Sequence, residues 1–276
     1  MLTVDALNQI TATHAAATGR QLETDTQAIL VPEHFMVQSV EHLNHNRARF
    51  RGRMITNSLP DFCRYVERRA NGELAEHEAA GFIDADSMSC LVFFNLGNEA
   101  EPGHADDTAN LTLKPTAAYA AMRSIAGSRL SQTQLAEWME DWADSLKVTG
   151  TSGEDIPVGV AVQKIRTITI KATAERTSTE GNFSAGRSAM DQIEAAHAEQ
   201  QPADLLYTIK PYEGLQACTF TLRLSVITGG DKPVLVPRWV QQEAQEEEIA
   251  QEFKGVLTNE IGGFAELTLG SFNPGK

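Results

Sequence analysis

The sequence predicts an α+β fold whose C-terminal half is an antiparallel, β-rich sheet with amphipathic helices inserted. Three observations lead there. Cys218, Phe220, Leu222, Leu224 and Val226 alternate with Thr219, Thr221, Arg223 and Ser225, the pattern of a sheet with one wet face. Ser131-Gln-Thr-Gln134 is a capping box, and behind it Leu135, Trp138, Met139, Trp142, Ala143 and Leu146 fall at helical spacing. Helix and strand patterns follow no repeated βαβ rhythm, so a doubly wound parallel sheet is not expected.

The elements follow in order. Residues 1–20 read as an N-terminal helical arm with Leu2, Leu7 and Ile10 as its apolar positions. Residues 21–148 form an α+β region. It opens on β-like sequence from Ala28 to Glu41, bent at Pro32, turns at Asn44 to Arg47, and continues into the alternating run RARFRGRMIT (47–56). Ser58-Leu-Pro-Asp61 starts a helix: hydroxyl cap, proline in the first turn, acid at the third position. Phe62, Tyr65, Val66 and Arg69 continue it, and Asn71-Gly72 stops it. Residues 79–96 are expected to hold a hairpin, with MSCLVFFNL (88–96) as a buried strand. An acidic loop runs from Glu99 to Asp107, a strand covers 109–113, and Thr116 to Ile125 is a helix closed by Gly127.

The Gly/Ser/Thr/Pro stretch 149–157 reads as a linker to a second region, 158–276. There Ile168, Ile170, Ala172 and Ala174 alternate with Thr167, Thr169, Lys171 and Thr173, and the polar residues 176–203 read as a protruding excursion. Leu205, Tyr207 and Ile209 resume the alternation before a turn at Glu213-Gly214. After the long strand, Gly229-Gly230-Asp231 turns into VLVP, an acidic helix covers about 239–257, and AELTL (265–269) is the last strand.

Composition narrows the class. The chain has 276 residues, 42% of them hydrophobic, and a net charge of −14. No run approaches the roughly 18 to 20 apolar residues of a membrane span, and the start lacks a secretory block, so a cytoplasmic protein without a membrane partner is expected. Cys63, Cys90 and Cys218 are widely spaced and odd in number, which fits buried thiols rather than a disulfide framework or zinc site. There is no P-loop, no GxGxxG after a strand, no GxSxG and no HExxH, so neither cofactor nor catalysis is expected.

The charge is unevenly spread. Arg47, Arg49, Arg51, Arg53, Arg64, Arg68 and Arg69 face only Asp61 and Glu67 within their segment, which is net +5 and leaves −19 for the rest. On a strand over 47–54, the first four would share one face at about 6.6 Å spacing. Such a ladder fits an anion, because guanidinium suits bidentate phosphate or carboxylate recognition. Equally, it fits the acidic stretch Glu243, Glu246, Glu247, Glu248 and Glu252, within or between subunits, or an edge strand protected by charge. His34, His42 and His45 near Glu33 and Glu41 lie in strand-and-turn sequence, which spoils the geometry for a metal. Glu99, Glu101, His104, Asp106 and Asp107 read as a solvated loop. Glu252-Phe253-Lys254 resembles half a nuclease signature but falls on a helix pattern. Cys90 and Cys218 lie on apolar faces and read as inert.

The order of VQSVEHL (37–43), an Arg-rich strand, SLPDFCRYV (58–66), PGHADDTANLTL (102–113) and SQTQLAEWMEDW (131–142) resembles the YfdQ-like family of phage and prophage proteins over about residues 25–260. Where relatives tend to carry Trp and Arg in the acidic loop, this chain has His104 and Ala105. The resemblance implies a phage setting and no particular activity. Together these features lead to the expectation of a non-enzymatic accessory protein that self-assembles into a homo-oligomer, basic segment against acidic helix. The alternatives are a nucleic-acid or nucleotide binder, and an acidic decoy for a host defence component.

Overall fold

The computed structural model describes residues 3–17, 21, 22, 28, 29, 44–47, 49–71, 79–168, 201–227 and 233–275. They form two compact units, Met1–Phe50 and Arg51–Lys276, of mixed α+β architecture.

In the first unit, α1 (Val4–Ala17) begins where the Thr3 hydroxyl accepts from the Ala6 amide, at 3.3 Å. Strands β1 (Gln21–Leu22) and β2 (Ala28–Ile29) pair antiparallel. The remainder of the β-like stretch to Glu41, with His34 and His42, lies outside the described residues.

The second unit runs β3 (Gly52–Thr56), α2 (Leu59–Ala70), β4 (Ala79–Asp84), β5 (Ser89–Phe93), β6 (Asp107–Thr112), α3 (Ala117–Ile125), α4 (Gln132–Asp141), β7 (Leu146–Gly150), β8 (Asp155–Ile156), α5 (Val158–Thr167), β9 (Pro202–Ile209), β10 (Cys218–Ile227), β11 (Val234–Trp239), α6 (Gln242–Ile261) and β12 (Ala265–Leu269). Two five-stranded sheets result. The first has the order β12-β4-β5-β6-β3, antiparallel at its centre and parallel at both edges. The second, β11-β10-β9-β7-β8, is antiparallel throughout.

Alternation decides the faces of the first sheet. Ile83, Cys90 and Leu111 stand in register on one side, as do Gly81, Val92 and Ala109, and all are buried. Helix α2 packs there through Phe62, Cys63 and Val66. Its start is built as predicted: Ser58 accepts from the Asp61 amide, and Pro60 occupies the first turn. Gly81 is glycine for space, since a Cβ would meet Leu267 of β12 at 2.5 Å. The opposite face of this sheet is only partly covered.

The second sheet buries Leu205, Tyr207, Phe220, Leu222, Leu224 and Trp239, while Thr208, Thr219, Arg223 and Ser225 face water. Helix α4 carries the full capping box, with Ser131 and Gln134 each bonding the other's backbone amide. Trp138 and Met139 are core, as their spacing predicts. Helix α6 joins the two layers. Gln245 in its first half donates to the Thr219 carbonyl, whereas Phe253, Leu257 and Ile261 are buried in its second half, which packs on α2.

Several expectations are revised. Thr149 to Pro157 holds the end of β7, a tight turn and β8, where the Gly150 amide donates to the Glu154 carbonyl at 2.8 Å. Helix α5 was not anticipated, and Thr167, read as the start of an alternating strand, closes it. Residues 169–174 of that alternation, and 176–200 of the excursion, lie outside the described residues; 202 and 203 already belong to β9. The antiparallel C-terminal half holds for β9 to β11. Strand β12 leaves that sheet and pairs parallel with β4.

Candidate functional site

The arginine segment divides between the units. Arg47 and Arg49 belong to the first, and Arg51 opens the second. The strand begins only at Gly52, so Arg53 is the one predicted ladder residue inside it, and a four-guanidinium face on a single strand does not form. Gly52 is docked through its amide to the Asp106 carbonyl at 3.0 Å, and this hydrogen bond fixes where regular pairing starts.

Arg64, Arg68 and Arg69 lie on α2 and have separate fates. Arg64 is exposed and sits 3.3 Å from Asp61, one turn back. Arg68 is exposed and its guanidinium lies over the Tyr65 ring at 5.4 Å. Arg69 turns inward, pairs with Asp107 and covers the Phe94 ring at 5.5 Å. Asp107 is 2% exposed. Alternation on β6 puts it toward α2 while its neighbour Asp106 accepts from Asn95 Nδ2. Asn95 clasps the loop from its other end as well, accepting from the Asp107 amide at 3.0 Å. The acidic loop is therefore a structural clasp. The adjacent acids diverge, as an extended pair must, and that alternation signals only that the two cannot share one partner.

The predicted acidic residues all lie on α6. Glu243, Glu247 and Glu248 are exposed, and Glu246 and Glu252 are half-buried. Glu252 accepts from the Gln216 amide at 2.7 Å, and Glu246 from Gln242 at 3.2 Å. Burial, then the carboxylates of Glu252 and Glu248, pushes the Cys218 thiol up to about 11. Burial raises Tyr119 and Tyr212 too, with Glu246 adding and Arg123 opposing. Burial likewise pushes Cys63 to about 11 and Cys90 to about 12, so these thiols stay protonated near neutral pH and are poor nucleophiles.

No ion pair between described residues joins the arginines to the α6 carboxylates. Among the described residues no group of His, Cys, Asp and Glu is placed to hold a metal; His45 and His104 are exposed. Phe253 is fully buried, and the Glu252-Phe253-Lys254 triplet is helical, not the strand that nuclease chemistry would want. No described helix is long and apolar enough to cross a membrane.

No curated protein and no solved structure matches this chain. Residues 3–272 match the family model DUF2303, described as an uncharacterized conserved protein, and the chain belongs to that family.

Proposed function

We propose that this protein is a non-catalytic accessory protein that self-assembles head to tail, the exposed face of α2 in one copy meeting the acidic first half of α6 in the next. On the strength of the motif order quoted above, its setting is the cytoplasm of a host cell carrying a phage or prophage. One observation carries the reading. Arg64 and Arg68 on one side, and Glu243, Glu247 and Glu248 on the other, are exposed on a single compact unit without pairing with one another. Complementary patches at different places on one surface give heterologous contacts, which close into a ring when the rotation allows. Exposed charges at such a contact are screened by salt over a Debye length of about 8 Å under physiological conditions.

The test is native mass by light scattering, at low and high salt. The expected mass is a multiple of 30.1 kDa that falls as salt rises. Arg64→Glu with Arg68→Glu dissociates the assembly, and adding Glu247→Arg with Glu248→Arg restores it. A monomer at both salt concentrations overturns the reading. So does an oligomer indifferent to these reversals. Retention of a labelled oligonucleotide by the wild type, lost in Arg64→Glu with Arg68→Glu, assigns the arginines to nucleic acid instead.

A further inference from the structure

The partly covered face of the first sheet has an order of its own. Reading across the five strands, one row is Glu266, Ala80, Phe93, Thr108 and Arg53. The next is Thr268, Phe82, Leu91, Asn110 and Ile55. Apolar side chains occupy β4 and β5, Thr108 and Asn110 stand on β6, and the two charges stand at opposite ends of one row, separated by four strand spacings or about 19 Å. Both Glu266 and Arg53 are exposed, and neither forms an ion pair among the described residues. Ile55 is 67% exposed, unusual for a large apolar residue on an otherwise regular strand.

Coverage is lopsided. Phe272, just beyond β12, stacks on Phe82 at 4.9 Å and meets the edge of Phe93 at 5.9 Å. It covers part of β4 and β5, while Ile55 on β3 stays open to solvent. Phe272 itself remains 40% exposed.

We propose that this face is an interface with a second copy of the same chain, the two sheets packed face to face about a two-fold axis running along β5. That axis reverses strand order and keeps the rows aligned. It sets Arg53 of each copy against Glu266 of the other. It also brings each copy's Phe272, which lies over β4 and β5, toward the β5–β6 side of the other copy. A two-fold axis across the strands would not bring the charges together, because it keeps the strand order and lays β3 over β3 and β12 over β12, each charge on the side of its own kind. Face-to-face sheets stack about 10 Å apart with strands roughly aligned, which suits this arrangement. The contact is isologous and uses none of the α2 or α6 charges, so it stands whether or not those helices assemble head to tail.

Arg53→Cys and Glu266→Cys in one full-length chain, treated with a short bismaleimide, supply the test. The linker is too short for the roughly 19 Å within one sheet. The expected product is a covalent dimer closed by two reciprocal links and nothing larger, with the wild type uncrosslinked. A ladder of longer species overturns the two-fold axis, and absence of crosslinking overturns the interface. In the otherwise native chain, Ile55→Arg raises the dimer dissociation constant by roughly tenfold or more. Arg53→Glu weakens the dimer, and Arg53→Glu with Glu266→Arg restores it. A dimer that survives Ile55→Arg with folding intact by circular dichroism overturns the proposal. Arg64→Glu with Arg68→Glu leaves the crosslinked dimer unchanged, which separates failure of this contact from failure of the helix contact.

Discussion

The open faces of the two sheets are finished in different ways. On the second sheet the outward residues satisfy one another: the Thr208 and Thr219 hydroxyls hydrogen-bond across the strands at 2.8 Å, and Arg223 donates to Asp204 at 2.9 Å. Its β11 edge is covered too, with Leu130 and Leu235 exchanging backbone hydrogen bonds at 2.8 Å and the Gly127 amide donating to the Pro237 carbonyl. The first sheet instead shows water Phe82, Leu91 and Ile55, with Phe272 stacked on Phe82. A polar open face is compatible with solvent as it stands. An apolar one with charges at opposite ends is the kind of surface that another protein surface completes. The ion pairs differ in the same sense. Arg69–Asp107 lies beneath the first sheet's helix layer, with Asp107 almost wholly buried, whereas Arg223–Asp204 lies on the second sheet's surface.

The largest expected effect breaks the comparison at its buried end. Arg69→Ala removes the charge partner of a carboxylate whose other oxygen, Oδ1, has no hydrogen-bond partner among the described residues. Breaking a buried pair from one side costs about 3–5 kcal/mol, read as a drop in urea midpoint. A loss below about 1 kcal/mol would mean that water reaches Asp107 and that the pair belongs with the surface class.

Alkaline pH sharpens the contrast between the layers. Cys63 and Cys90 lie in the first layer, and burial raises both above the ordinary thiol value of 9.0. In the second layer burial raises Tyr119 and Tyr207 above 10.0. As pH climbs past 9 the unfolded chain releases its thiol protons while the folded chain keeps them, so the unfolded state gains and stability falls. The contribution is intact below pH 9 and is lost toward the folded values of about 11 and 12. Urea midpoints should hold between pH 7 and 9 and decline above that. Cys63→Ala with Cys90→Ala should make the decline above pH 9 shallower, leaving Cys218 and then the tyrosines of the second layer to carry the rest. An equally steep decline in that double variant would remove the first layer from the account.

What could be read without coordinates follows from how local each signal is. The capping box at Ser131 and the cap at Ser58 depend on residues three apart, and both form. The alternation of Cys218 to Val226 reports one wet face and is seen in β10. The arginine ladder failed because alternation alone does not start a strand: pairing with β6 does, and it begins at Gly52. Thr149 to Pro157 has a linker's composition, yet a Gly/Ser-rich stretch is also what a tight hairpin turn needs, and the pairing of Val148 with Ile156 decides between them. For α5 the signal was present, since Ala161, Val162 and Ile165 line its buried side. Nothing local could show that β12 crosses to pair with β4, or that Arg53 and Glu266 end on one row. Those are properties of register between strands far apart in the chain. The acidic residues of α6 were legible as a charged helix, whereas the inward turn of Arg69 among seven arginines was not, because it depends on Asp107 arriving from another strand.

The smallest effect tests the surface end of the comparison. Arg223 and Asp204 stand directly opposite on β10 and β9, and the guanidinium donates from both Nε and Nη2. On the other side of Arg223, at the paired position of β11, stands Arg238. Like charges directly opposite are unfavourable, so Asp204 offsets the repulsion of this arginine pair as well as bonding one member. With Arg223 half exposed, solvent screens both terms, and Asp204→Ala should cost about 0.2–1 kcal/mol, less at high salt. Which of the two proteins responds to salt separates the two contributions. If the lost attraction dominates, the difference between variant and wild type shrinks because the wild type is weakened by salt. If the exposed arginine pair dominates, it shrinks because salt stabilises the variant. A cost of several kcal/mol, or one indifferent to salt, would place this pair with Arg69 and Asp107, and the two sheets would then not differ in how they support their charges.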